Sequence, residues 1–283
     1  MDSLFILFQH MVPQQLLSRC TGWLAGLHRP AWLVQWFIRR FIRHFGVNME
    51  EAAEPDPAAY ASFNAFFTRP LREGARPLAQ ADVVCPADGA ISQIGEIDGG
   101  RIFQAKGRYY STHELLGGDA ARSDLFEGGH FVTVYLSPRD YHRVHMPVAG
   151  RLTATGYIPG KLFSVNAVTA ARVERLFARN ERLVCHFDTA AGPMALILVG
   201  AMVVAGIETV WSGQVAPPPR QPVFREYLQP PAAVELARGE EMGRFLLGST
   251  VILLFPRGAV AWAEGYGAGS TTRLGERLGA FLH

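Results

Sequence analysis

The chain has no apolar run long enough to cross a bilayer. A spanning helix needs ~20 consecutive apolar residues, and the nearest approach, Met194 to Ile207, is shorter, contains Gly200 and Gly206, and stops at Glu208. It reads as two buried strands broken at a glycine. Cysteine is also scarce. Cys20, Cys85 and Cys185 are odd in number, widely spaced and without a Cys-x-x-Cys pair, which argues against a disulfide framework or a zinc site. Three free thiols in a reducing compartment are expected. A large excess of charge is missing too: a net +2 over 283 residues gives nucleic acid no electrostatic footprint. The apolar start, Leu4 to Phe8, lacks a basic n-region and a small-residue cleavage site, so a secretory leader is not expected.

What is present is enough apolar residue (49%) for a sizeable core, with 29 glycines and 18 prolines favouring turns and strands over a helical bundle. Strand-like segments are Asp82 to Ile97 around a turn, His130 to Leu136, Leu183 to Asp188, Met194 to Ile207 and Val251 to Phe255. Leu162 to Arg179 is the best helical candidate of this half, and the proline-rich Gly213 to Pro231 is expected to be largely loop. The fold class expected is α+β: a mostly antiparallel β core preceded by N-terminal amphipathic, membrane-associated helices. The expected division is residues 1–70 as the helical, membrane-associating region and residues 71–283 as the β-rich part, for the reasons that follow.

The membrane expectation rests on Ala31 to Gly46. At about 100° per residue, Gln35, Arg39, Arg40, Arg43 and His44 fall on one half of a helix, and Trp32, Leu33, Trp36, Phe37, Ile38, Phe41, Ile42 and Phe45 on the other. Pro30 suits the first turn and Gly46 a C-cap. A basic face opposite a Trp/Phe/Ile face suits the lipid interface. A surface helix packed on its own core is the plainer alternative.

Three stretches could do chemistry. Pro86-Ala87-Asp88-Gly89 puts an acid in a tight turn, although Asp-Gly is also common turn chemistry. Tyr141-His142-Arg143-Val144-His145-Met146-Pro147 carries two histidines three apart, usable as an acid/base pair, while no further ligand at metal-like spacing lies nearby. Leu247-Gly248-Ser249-Thr250 precedes the β-rich run Val251 to Phe255, so a serine stands at the head of a buried strand. Gly269-Ser270-Thr271 repeats the tripeptide, which shows how little Gly-Ser-Thr means alone.

Together these stretches resemble the bacterial-type phosphatidylserine decarboxylase family, whose Leu-Gly-Ser-Thr, Tyr-His-Arg-x-His-Met-Pro and Pro-Ala-Asp-Gly motifs they match. Phe63 to Phe67 with Arg69 to Leu71, Leu162 to Asn166, and Gly206 to Trp211 also look family-like. The resemblance runs in order along nearly the whole chain. It implies a proenzyme in which Asp88, His145 and Ser249 act as a charge relay, the Ser249 hydroxyl attacks the Gly248 carbonyl to give an ester, elimination leaves dehydroalanine at position 249, and hydrolysis of its imine tautomer with loss of ammonia gives a pyruvoyl group there. The products would be a β chain, residues 1–248, and an α chain, residues 249–283. It further implies that the pyruvoyl carbonyl takes the serine headgroup of phosphatidylserine as a Schiff base and serves as the electron sink for loss of CO₂. His142 is the candidate proton donor to the former α-carbon. The product would be phosphatidylethanolamine, made at the cytoplasmic face of the cell membrane by a peripheral protein. Metal and nucleic acid are not expected, and homodimerisation is left open. Three other readings remain at this point: a serine hydrolase without self-cleavage, disfavoured because G-x-S-x-G is absent around Ser249; a non-catalytic membrane-bound module; and a pyruvoyl decarboxylase of a soluble amino acid.

Overall fold

The computed structural model describes residue 9 and residues 13–202, 206–216, 221–227, 233–246 and 249–282, without the side chains of Ala216 and Ser249. The strands that build the site are, in chain order, β1 (Gly89–Glu96), β2 (His130–Leu136), β3 (Arg143–His145), β4 (Gly150–Ile158), β5 (Arg182–Thr189), β6 (Gly192–Gly200), β7 (Ile207–Thr209), β8 (Gly213–Ala216), β9 (Val223–Glu226), β10 (Glu241–Phe245) and β11 (Ser249–Phe255). One large sheet runs β9-β4-β5-β6-β11-β2-β1, with Thr271–Thr272 on the far edge of β1 and Glu235–Leu236 also on β4. A smaller sheet runs β8-β7-β10-β3. The pairings between these strands are antiparallel.

β11 and β6 are buried on both faces, which explains their nearly continuous apolar sequences. Side chains alternate across a strand, so Val251, Leu253 and Phe255 enter one core with Leu196 and Leu198. Ile252 and Leu254 enter the opposite core with Ala195, Ile197 and Val199. Met194 to Gly200, the first part of the run that came nearest to a membrane span, is therefore the middle of a sheet, and Ile207 starts β7.

Three helices form an N-terminal layer: α1 (Gln14–Ala25), α2 (Ala31–Phe45) and α3 (Phe63–Phe67). Gly46 closes α2 in the left-handed region at φ 66°, as the C-cap reading predicts. The Ser62 hydroxyl accepts from the Ala65 N–H at 3.1 Å and starts α3. Val34 and Ile38 of α2 pack with Phe63, Phe66 and Phe67 of α3 and with Leu246, two residues before Gly248. Buried Gln9 and Gln14 accept from the Ser164 and Leu162 backbone N–H groups, both at 2.8 Å, tying the chain start to the body. Among the described residues, no helix is long and apolar enough to cross a membrane.

Two expectations are corrected. Leu162 to Arg179 is not one helix but two short ones, Ala167–Ala170 and Leu176–Arg179. Asn166 caps the first through its side chain, and Arg175 at φ 53° breaks the path before the second. Gly213 to Pro231 is not mainly loop where it is described. It holds β8 and β9, and β9 pairs with β4 from Val223↔Tyr157 to Glu226↔Ala154. Cross-strand partners override the proline signal there.

Candidate active site

The Tyr-His-Arg-x-His stretch follows β2 and runs into β3, and the sheets bring all three motifs to one place. Leu136, the last residue of β2, pairs with Ser249, the first of β11, and Gly200 pairs with Ser249 from the other side. The His142 carbonyl accepts from the Phe245 N–H at 3.0 Å. Both flanks of the Gly248-Ser249 bond are thus pinned to the segment 136–142. Leu247, Gly248 and the Ser249 side chain lie outside the described residues, so the cleavage motif is located by its flanks. The His145 N–H donates to the Pro86 carbonyl at 2.9 Å, which joins the Asp88 turn to the histidine strand. Gly89 follows Asp88 where a Cβ would sit 2.3 Å from the Tyr135 carbonyl oxygen, so only glycine allows this approach. The second tripeptide is elsewhere: the Ser270 carbonyl accepts from Ile91 and Thr271 pairs with Ala90, on the far edge of β1.

His145 Nδ1 lies 2.8 Å from the Gly239 carbonyl oxygen, and Nε2 lies 3.1 Å from the Tyr141 hydroxyl. A carbonyl only accepts, so Nδ1 carries the proton and Nε2 the lone pair. Burial pushes the His145 pKa below the usual histidine value, with smaller opposing effects from the Gly239 carbonyl, Glu241 and Asp88. The Asp88 carboxylate faces away from this ring in its hydrogen bonding: Arg76 Nε donates to it at 3.0 Å and the Leu274 N–H at 2.8 Å. Arg76 Nη2 also pairs with Asp88 and, at 2.7 Å, with Glu51. Hydrogen bonding to Asp88, followed by Glu51, raises the Arg76 pKa despite burial. The Asp88 turn and His145 are therefore joined through the Pro86 carbonyl, with the Gly239 carbonyl in the place where a carboxylate would hold the histidine tautomer.

His142 is completely buried. Its ring lies 4.0 Å from that of Phe67, centroid to centroid, and Nδ1 lies 2.8 Å from the Asp140 carbonyl. Nε2 has no hydrogen-bond partner among the described residues. Burial lowers its pKa to about 3, so the ring is neutral with its Nε2 lone pair free. Around the histidines, Arg143 bonds Glu241 at 2.7 Å and the Thr68 carbonyl at 2.8 Å, and Arg244 bonds Glu241 at 2.8 Å. Sequence reasoning did not pick out Arg76, Gly239, Glu51 or the Tyr141 hydroxyl as partners of the site. Among the described residues, no cluster of three or more His, Cys, Asp or Glu could hold a metal, and the three cysteines are free.

A serine at the head of a central strand, a segment carrying buried His142 and half-buried His145 that is tied to both flanks of that serine, and a charge-clamped acid define a site suited to proton transfer. The comparisons with known proteins agree in kind. A family profile described as phosphatidylserine decarboxylase matches residues 63–280, and a second, described as PSD, matches residues 4–46. The phosphatidylserine decarboxylase proenzyme of Pseudomonas aeruginosa is 57% identical over 280 residues, covering 98% of this chain and 96% of the relative. That of Hahella chejuensis is 53% identical over 283 residues, covering 99% and 95%. The chain belongs to the phosphatidylserine decarboxylase family, a family of decarboxylases made as proenzymes.

Proposed function

We propose that the chain cuts itself between Gly248 and Ser249, converts Ser249 into a pyruvoyl group, and decarboxylates phosphatidylserine to phosphatidylethanolamine at the cytoplasmic face of the cell membrane. The observation that carries this reading is the position of Ser249: first residue of a central strand, with Phe245 and Leu136 tying both sides of the bond to the histidine segment. The relatives' name, phosphatidylserine decarboxylase proenzyme, supports the substrate and the processing.

In self-cleavage the Ser249 hydroxyl is the nucleophile and His145 Nε2 the base that takes its proton. Tyr141 holds that nitrogen until then. Asp88 acts on the ring through the field of its turn. A pyruvoyl group suits position 249 because a break before it leaves β11 paired on both edges. The group supplies an electrophilic carbonyl and an electron sink for the pair left when CO₂ departs. His142 is the candidate proton donor: Nε2 takes up the proton from solvent that loss of CO₂ consumes and delivers it to the former α-carbon. General acid–base help of this kind is worth ~10²–10⁴-fold.

The layer of residues 1–70 is proposed as the membrane-associating part and residues 71–283 as the catalytic part. Exposed Trp23, Trp32, Trp36 and Phe37 support the first assignment, Trp32 being 71% exposed. The test is intact mass under denaturing conditions. Two chains divided at Gly248-Ser249, the smaller carrying pyruvoyl, are expected. Under the same measurement His145→Ala stays whole, and His142→Ala is cut but turns over poorly. An uncut, folded wild-type chain would move the assignment to a hydrolase or a binding module.

A further inference from the structure

Arg69 is a buried cation that nothing among the described residues neutralises directly. It is 4% exposed, its Nε has no hydrogen-bond partner, and no carboxylate lies in salt-bridge range of its guanidinium. Its guanidinium lies over the Phe66 ring, 5.3 Å from Cζ to centroid, and Asp88 and Glu51 act on it only through space. Burial lowers its pKa, which shows how poorly the surroundings compensate the charge. A buried unpaired charge is strongly destabilising. Such a group persists where a ligand completes it.

The ligand space is present. Arg69 lines a cavity of about 260 Å³ with Arg76, Arg139, Asp88, Asp140 and Tyr141. The acids there are already committed. Asp88 is held by Arg76 and the Leu274 N–H, Glu51 by Arg76 and Arg273, and Asp140 accepts from the Ser137 N–H at 2.7 Å. Arg76 is spent on Asp88 and Glu51, and Arg139 stands exposed at the rim. Among the described residues that line the cavity, Arg69 is left as the buried positive group without a carboxylate in ion-pair range. One wall is Tyr141, a single hydrogen bond from His145. Another is Gly46 and Asn48, just past the end of α2, so the cavity opens where the aromatic helix ends.

We propose that Arg69 holds the phosphodiester of the phospholipid headgroup in this cavity. The inference rests on the decarboxylase reading and assigns the anchor of its substrate. The headgroup carries two anions, and the chemistry chooses between them. Negative charge leaves the carboxylate as CO₂ forms, so a cation there would stabilise the ground state more than the transition state and slow the reaction. The phosphodiester keeps its charge throughout, and a guanidinium fork suits its paired oxygens. Arg69 is thus a positioning residue that binds ground state and transition state alike.

The experiment uses the full chain with Arg69→Met and Arg69→Lys. Both should self-cleave, as read by intact mass. Arg69→Met should raise the KM for phosphatidylserine in mixed micelles by roughly 10- to 100-fold with kcat nearly unchanged, and Arg69→Lys should recover part of the loss. Its melting temperature should stay level or rise. Two soluble probes separate the anions: glycerophosphoethanolamine carries the phosphodiester without the carboxylate, and serine the carboxylate without the phosphodiester. Calorimetry should show the first binding to wild type and not to Arg69→Met. An unchanged KM, a lowered melting temperature without a KM change, or Arg69-dependent binding of serine alone would overturn the proposal. A wild-type chain inert on phosphatidylserine would defeat the decarboxylase reading instead, and the calorimetry would still decide for Arg69.

Discussion

A histidine serves as a base only through the ring nitrogen that carries a lone pair, and the Gly239 carbonyl fixes which one that is in His145. Burial then keeps the ring neutral. Its pKa lies below the usual 6.5, so the neutral form dominates at neutral pH and is lost only as acidity passes that lowered value. The rate of self-cleavage, followed from a freshly folded precursor, should therefore stay level from about pH 8 to 6.5 and fall on the acid side. Half-loss at pH 7 or above would mean that a carboxylate stabilises the charged ring, as a direct Asp88–His145 bond would. The Arg76 clamp on Asp88 argues for the first outcome.

At the scale of the element, α2 has two unlike apolar faces, one covered and one exposed. Val34 and Ile38 are buried against α3 and Leu246, while Trp32, Trp36 and Phe37 stand in solvent. Replacing those three aromatics with serine should weaken binding to anionic vesicles by roughly tenfold or more while the melting temperature holds, measured by sedimentation and calorimetry. Ile38→Ala should do the reverse, lowering stability through a core cavity. Undiminished vesicle binding by the triple variant would remove the membrane role of this face. The sequence showed the apolar half of α2 and its Gly46 cap, because both are local signals. It could not show which part of that half is covered, because the cover is Phe63, Phe66 and Phe67 from another segment. β9 was hidden for the same reason, since its partner β4 lies far off in the chain. The three motifs of the site were legible as residue types in order. The claim of Arg76 on Asp88 and of Gly239 on His145 was not, because such pairs of common residues leave no local pattern.

Over the whole molecule, the segment after the proposed cut is woven through the rest. β11 is paired along both edges, with β2 and β6. Thr271–Thr272 pairs with β1, and Arg277–Phe281 pairs with Val83–Val84. Arg273 bonds Glu51 at 2.9 Å, and the Leu274 N–H bonds Asp88 at 2.8 Å. Breaking the chain before Ser249 removes none of these contacts, and the apolar side chains of β11 fill both cores. The two chains should therefore elute together in gel filtration without denaturant, melt in a single transition, and separate only when unfolded. Loss of the smaller chain under native conditions would show that the pairing of β11 depends on the intact Gly248-Ser249 bond. Retention has a chemical consequence as well. Asp88 lies in the larger chain and one of its two clamps lies in the smaller, so the processed site is complete only while both chains stay folded together.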